Sequence, residues 1–183
     1  MEKKSRAAFV TGASYGIGKA TAIALAEDGF DIAITDLSLA ALQGTQAAIA
    51  ALGKKALPIV MDLQKQDSID HAITLADKEL EGLQVLINNA GFGINKAFTM
   101  SDLAKEEEVL KVLVRTPMRL MHVALPGMKE RNSGTVINVS SVASFIAGGA
   151  YSASKAYLTV LSESLHTELS ATEIKVSALC PGF

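Results

Sequence analysis

The chain has 183 residues, 49% hydrophobic and 20% charged, the balance of one globular domain with enough apolar side chains for a core. With 17 basic residues against 19 acidic ones the net charge is −2, which gives no electrostatic footprint for nucleic acid or an anionic membrane. The single cysteine, Cys180, excludes an internal disulfide, and no apolar run has the length of a signal-peptide core or a membrane span, so a soluble protein of the reducing cytoplasm is expected.

Six short β-branched or apolar runs, at 7–11, 31–35, 56–61, 84–88, 135–140 and 175–179, alternate with longer segments of helical spacing. The first such segment carries Ala20, Ile23, Ala24 and Ala26. The second carries Leu39, Leu42, Ala47 and Ile49, and the third Ile69, Ala72, Ile73 and Ala76. Val85-Leu86-Ile87 is apolar throughout, as a strand covered on both faces should be. Strict βα alternation predicts an α/β fold of Rossmann type, a doubly wound parallel sheet with helices on both faces. Without repeat or linker, residues 1–183 read as one domain.

The first strand runs into Thr11-Gly12-Ala13-Ser14-Tyr15-Gly16-Ile17-Gly18, and a helical pattern follows at once. Glycines between strand and helix permit a tight turn, close approach of a pyrophosphate, and close helix–strand packing. The helix then presents its unpaired N–H groups and positive dipole end to that anion. Asp36 closes the second strand 18 residues beyond Gly18. A carboxylate there accepts the hydroxyls of an adenosine ribose and repels a 2′-phosphate. Neither Tyr15 nor Leu37 is basic, so NAD is expected over NADP.

These motifs, with Asp62-Leu63, Asn88-Asn89-Ala90-Gly91, Asn138-Val139-Ser140-Ser141, Tyr151-Ser152-Ala153-Ser154-Lys155 and Pro181-Gly182, resemble the short-chain dehydrogenase/reductase family in order over nearly the whole chain. The resemblance implies a dinucleotide site at Gly12, Ser14, Tyr15, Gly16, Ile17, Gly18, Asp36, Asp62, Leu63, Asn89, Ala90, Gly91, Tyr151, Lys155, Pro181 and Gly182. Asp62 and Leu63 would contact the adenine, and residues 89–91 the adenosine ribose side. Asn88 has a structural alternative, tying neighbouring strands together.

Ser141, Tyr151 and Lys155 are the catalytic candidates. Tyr151 and Lys155 stand four apart in a helical segment and so share a face. A nearby ammonium favours a phenolate, bringing a tyrosine toward useful acid/base range. By the resemblance Lys155 also holds the nicotinamide ribose. Ser141, chosen over Ser140 on its match to the family's serine, would steady the substrate oxygen. Only ten residues separate Ser141 from Tyr151, which suggests a trimmed loop over the site.

Two departures stand out. Leu113 occupies the position where the family usually has an asparagine that relays protons to the lysine, and leucine makes no hydrogen bond. Either water alone connects the lysine to solvent, or the proton path is slower. The sequence also stops at Phe183 just after the sixth strand, so the last strand and substrate lid are missing, either by truncation or because a longer protein is shown in part. The expected reaction is hydride transfer between NAD(H) and a secondary alcohol or ketone. The alternatives are an NADP(H)-linked carbonyl reductase and a non-catalytic dinucleotide-binding protein. No metal is expected, because His71, His122 and His166 lack ligand spacing. Cys180, Met118, Met121 and Met128 are assigned to packing, and Lys105-Glu106-Glu107-Glu108 to a solvated helix face. A homodimer or homotetramer is expected through helices near 101–130 and 151–171, whose apolar residues include Val109, Leu110, Leu113, Leu158, Leu161 and Leu165.

Overall fold

Each apolar run becomes a strand, and none can pair with its sequence neighbour until a helix has carried the chain back across the sheet. In the computed structural model, which describes residues 6–182, the strands are β1 (Arg6–Thr11), β2 (Phe30–Asp36), β3 (Ala56–Val60), β4 (Val85–Asn88), β5 (Gly134–Val139) and β6 (Ile174–Leu179). They form one sheet in the order β3-β2-β1-β4-β5-β6, with every neighbouring pair parallel. The helices are α1 (Gly16–Glu27), α2 (Leu39–Ala51), α3 (Gln66–Glu79), α4 (Leu103–Leu110), α5 (Thr116–Glu130) and α6 (Gly149–Glu168). A π-helical turn, Lys111–Arg115, joins α4 to α5 without a break. No helix among the described residues is long and apolar enough to cross a membrane.

The two-residue period of β1 builds two cores at once. Ala8 and Val10 join Ile32, Ile34, Ala22, Ala26, Leu42 and Ile49 on the α1–α2 face. Ala7 and Phe9 join Leu86, Val136, Ile73, Leu120 and Leu158 on the face covered by α3, α5 and α6. The doubly wound architecture is therefore as the sequence predicts.

Several side-chain assignments differ. In α1 the buried residues are Gly18, Ala22 and Ala26, while Ala20 and Ala24 face solvent. In α2 they are Leu42, Thr45 and Ile49, while Leu39 and Ala47 are exposed. Both helices are apolar around most of their circumference, so periodicity does not select a face, and small residues win where helix and strand approach closely. The more amphipathic α3 buries Ile69, Ala72, Ile73 and Ala76 as expected. Cys180 lies past the end of β6 and is half-buried. Met121 and Met128 are core residues, whereas Met118 is exposed. The three histidines are exposed, on α3, α5 and α6. Glu106 does not belong to a solvated face: it is 7% exposed. Val109, Leu113 and Leu158 are consumed within the fold, leaving Leu110, Leu103 and Val160 among the exposed apolar residues of α4 and α6.

β5 begins at Gly134, where a Cβ would lie 2.5 Å from Met128 Cγ and 2.8 Å from Met128 Cβ. Gly134→Ala should therefore cost about 1–3 kcal/mol by overpacking, read as a lower urea midpoint with an unchanged slope.

Candidate dinucleotide and carbonyl site

β1 and β4 pair while their helices depart on opposite faces, so the crevice between their C-terminal ends is the switch point of the sheet. Gly12 and Gly16 sit at φ +63° and +58°, a region that L side chains enter only with strain, and so bend the chain from β1 into α1. Tyr15 caps α1 without any side-chain hydrogen bond to its first-turn amides, which remain available to an anion. Gly18 is buried beneath the turn, where a Cβ would overlap Gly12 O and Asn89 Nδ2.

Asn89 locks this turn to the β4 loop, its Nδ2 donating to Thr11 O (2.9 Å) and Gly12 O (3.0 Å). Thr11 Oγ1 accepts from the Asn89 and Ala90 amides, both at 2.9 Å. Thr11 opens the glycine motif but is absent from the expected site residues, although a polar residue ending a buried strand is the kind of signal that marks such a tie. Asn88 Nδ2 donates to Asn138 Oδ1 at 2.8 Å, a side-chain tie between β4 and β5.

A cavity of about 380 Å³ opens beside the turn, lined by Gly12, Tyr15, Gly16, Ile17, Asp36 and residues 89–91, with Asp62 and Leu63 on its far wall. Asp36 Oδ2 accepts from Ser14 Oγ (2.5 Å) and Oδ1 from the Leu37 amide (2.8 Å), which fixes the carboxylate at the cavity wall. Ser14 does not line the cavity itself, and neither does Gly18. The Gln64 amide on its carboxylate is the main reason Asp62 sits below the usual carboxylate range, with Lys65 adding to it.

A second cavity of about 610 Å³ shares Ile17, Asn89, Gly91 and Phe92 with the first and continues to Ser141, Tyr151, Lys155, Pro181 and Gly182. Gly93, Ile94 and Asn95 also line it. No motif marks these three, and only their position after Gly91 could have found them. The two cavities adjoin through their shared residues, with Gly91 among them.

β5 and α6 place the catalytic candidates together. Ser141 stands two residues past the end of β5 and caps a short 3₁₀ turn, Val142–Phe145, its Oγ accepting from the Ala143 amide at 3.1 Å. Gly149, at φ +70°, lets the chain turn into α6, whose first turns carry Tyr151 and Lys155. Lys155 Nζ lies 5.8 Å from the Tyr151 ring centroid and donates to Val139 O at 2.6 Å. Ser140 Oγ donates to Lys155 O (2.9 Å) and meets Thr159 Oγ1 (2.7 Å), so its hydroxyl ties α6 to the end of β5, while Ser140 also lines the cavity that holds Ser141. Leu113, 1% exposed, packs against Gly91, where a Cβ would stand 2.6 Å from Leu113 Cδ2 and 3.7 Å from Lys155 Nζ. That apolar flank helps bury the ammonium.

Burial pushes the Lys155 pKa down to about 8, with the nearby Cys180 opposing. A lysine whose folded pKa lies below its unfolded value of about 10.5 penalises folding while charged. The penalty, on the order of 3 kcal/mol, is in force below pH 8 and disappears as pH rises from about 8 to 10.5. Wild-type stability should gain over that window, and Lys155→Met should flatten the gain, both measured by urea unfolding.

Residues 6–183 match the short chain dehydrogenase family. The chain is 33% identical over 178 residues to the ketoacyl reductase HetN of Nostoc sp. (strain PCC 7120), covering 96% of this chain and 62% of that protein. A metagenomic short-chain oxidoreductase crystallised in complex with NADP superposes with a TM-score of 0.92 at 32% identity, over 97% of this chain and 82% of that one. An NAD⁺-bound xylitol dehydrogenase superposes with a TM-score of 0.91 at 27% identity, over 100% of this chain and 72% of that one. Matched along its length in sequence and in fold, the chain belongs to the short-chain dehydrogenase/reductase family.

Proposed function

We propose that the chain transfers hydride between NAD(H) and a secondary alcohol or ketone. The observation that carries this is the convergence of Ser141, Tyr151 and Lys155 on one cavity that adjoins the glycine-lined one. When bound, the dinucleotide supplies or takes up the hydride at its nicotinamide. Tyr151 holds the proton that a reduced carbonyl oxygen must receive. The Lys155 ammonium, anchored on Val139 O, balances the charge left on the phenolate. Ser141 Oγ already accepts from the Ala143 amide, which leaves its own proton to donate to the substrate oxygen as charge develops there. Asn89 and Gly91 border both cavities, while Pro181 and Gly182 line the one that holds Tyr151.

Asp36 supports NAD over NADP, because its carboxylate is held at the wall where a ribose 2′-phosphate would bring like charge against it. Asp36→Ala should raise affinity for NADPH relative to NADH by roughly tenfold or more. An unchanged ratio would remove the argument for NAD. Cofactor oxidation across a panel of ketones tests the reaction itself, and NADH binding without turnover of any ketone would leave a dinucleotide-binding protein. The exposed apolar residues of α4 and α6 support pairing of these helices in a homodimer or homotetramer. A monomeric mass by light scattering would refute that.

A further inference from the structure

The middle of the glycine turn is held from outside its cavity by two hydroxyls. Thr45 on α2 is fully buried, and its Oγ1 donates to Ala13 O at 2.7 Å. The Ala13 amide donates to Thr35 O on β2 at 3.0 Å. Ala13 is therefore tied to a helix and to a strand at once, and Ser14 follows directly on this fixed backbone. Ser14 Oγ donates to Asp36 Oδ2 at 2.5 Å, and the Leu37 amide donates to Asp36 Oδ1 at 2.8 Å. Asp36 lines the cavity beside the turn, whereas Ser14 and Thr45 do not.

An ionised carboxylate only accepts hydrogen bonds and has about four lone-pair sites. Donors of the protein occupy one site on each Asp36 oxygen. The group is thus set in one orientation before a dinucleotide arrives, and its remaining lone pairs serve the cavity. A ribose with both hydroxyls free gains acceptors that need no further ordering. A ribose carrying a 2′-phosphate meets a like charge that turns aside only by breaking a charge-assisted hydrogen bond. Without the Ser14 hydroxyl the carboxylate is free to change rotamer, which weakens the first interaction and relieves the second. Without the Thr45 hydroxyl, Ala13 O loses a buried donor and the backbone that presents Ser14 loosens.

We propose that Ser14 and Thr45 are positioning residues for cofactor choice: Thr45 steadies the turn, Ser14 aims the Asp36 carboxylate, and the preference for NAD depends on both although neither contacts the dinucleotide. This takes Ser14 out of the direct contacts that the sequence resemblance implies. It rests on the reading of Asp36 as the carboxylate that favours NAD, and the same titrations separate the two.

The quantity measured is the ratio of the NADPH and NADH dissociation constants, by fluorescence titration of the chain and its variants. Ser14→Ala should lower that ratio at least about fivefold, mainly by weakening NADH. Ser14→Thr keeps a hydroxyl and should hold the ratio within about twofold. Thr45→Val, nearly the same in shape, should lower the ratio about threefold from a site sealed inside α2. Ser14 is only half-buried, so Ser14→Ala keeps the test open if thermal unfolding shows Thr45→Val to be misfolded. Added to Asp36→Ala, Ser14→Ala should leave both dissociation constants within about twofold, because a hydroxyl that acts only through the carboxylate has nothing left to act on. Further loss of affinity in that background would make Ser14 a direct ligand and overturn the proposal. Equal losses for NADH and NADPH in Ser14→Ala would overturn it too, since a merely loosened turn lowers both alike. Wild-type preference for NADPH, with a Ser14→Ala shift that requires Asp36, would defeat the NAD reading and leave the positioning role standing. Wild-type preference for NADH with a ratio unmoved in Ser14→Ala would do the reverse.

Discussion

Tyr151→Phe should lower kcat by a factor of roughly 10³–10⁴ and leave the dissociation constant of the reduced cofactor within about twofold. The ring keeps its place because Gly93 passes against it, so closely that a Cβ added at Gly93 would stand 3.4 Å from Tyr151 Cδ2, and because its backbone belongs to α6. Only the hydroxyl is lost, and with it the proton donor for the carbonyl oxygen. Ser141 cannot substitute, since its hydroxyl can donate a hydrogen bond to the substrate oxygen but is far too weak an acid to hand its proton over. The measurement is single-turnover cofactor oxidation beside a fluorescence titration of NADH. A fall of less than tenfold in kcat would reassign the proton to another group. An equal loss in cofactor affinity would mean that Tyr151 holds the dinucleotide and does not perform the chemistry.

The second large effect falls on a residue without a side chain. Gly18→Ala should weaken NADH binding by more than tenfold and lower Tm by about 3–10 °C, corresponding to an overpacking cost of about 1–3 kcal/mol. The added methyl would overlap the backbone oxygen of Gly12 and the amide nitrogen of Asn89. Neither can step aside cheaply. Gly12 is fixed at φ +63°, and Asn89 Nδ2 already spans two carbonyl oxygens of the turn. Gly16 is the control. It has a positive φ of +58° but no atom within 4 Å of its Cβ position, so Gly16→Ala carries only the local strain of about 1 kcal/mol. Equal losses in the two variants would mean that the turn's conformation, and not the helix–strand contact, decides affinity.

The strands were readable because each is a short, β-branched or apolar run bounded by turn residues and too short for a helix, and β4 is buried on both faces. The glycine turn and the Tyr151–Lys155 pair were readable because their chemistry depends on spacing along one element. What escaped the sequence depends on contacts between elements. Ser14 reads as part of a phosphate turn, yet its hydroxyl turns to Asp36 on the next strand. Glu106 sits in a charge run that looks solvated, and is buried because the loop carrying Ile94, Lys96 and Phe98 closes over it. The faces of α1 and α2 were hidden because alanine and leucine surround both helices, leaving backbone proximity to choose.

The all-parallel sheet also dictates an order of events during synthesis. No two neighbouring strands can be joined by a tight hairpin, so every ladder waits for a crossover helix to emerge first. The β1–β2–β3 half, with its glycine turn and Asp36, is contiguous in sequence and can pair completely before β4 exists. Until then the far edge of β1 lacks its partner, and Thr11 has no Asn89 to hold. The nascent chain thus passes through a stage with an apolar strand edge exposed, the hazard that slow parallel pairing carries. Arrival of β4 covers that edge and creates the cofactor crevice in the same step, which makes the ability to bind dinucleotide a marker that the two halves of the sheet have joined.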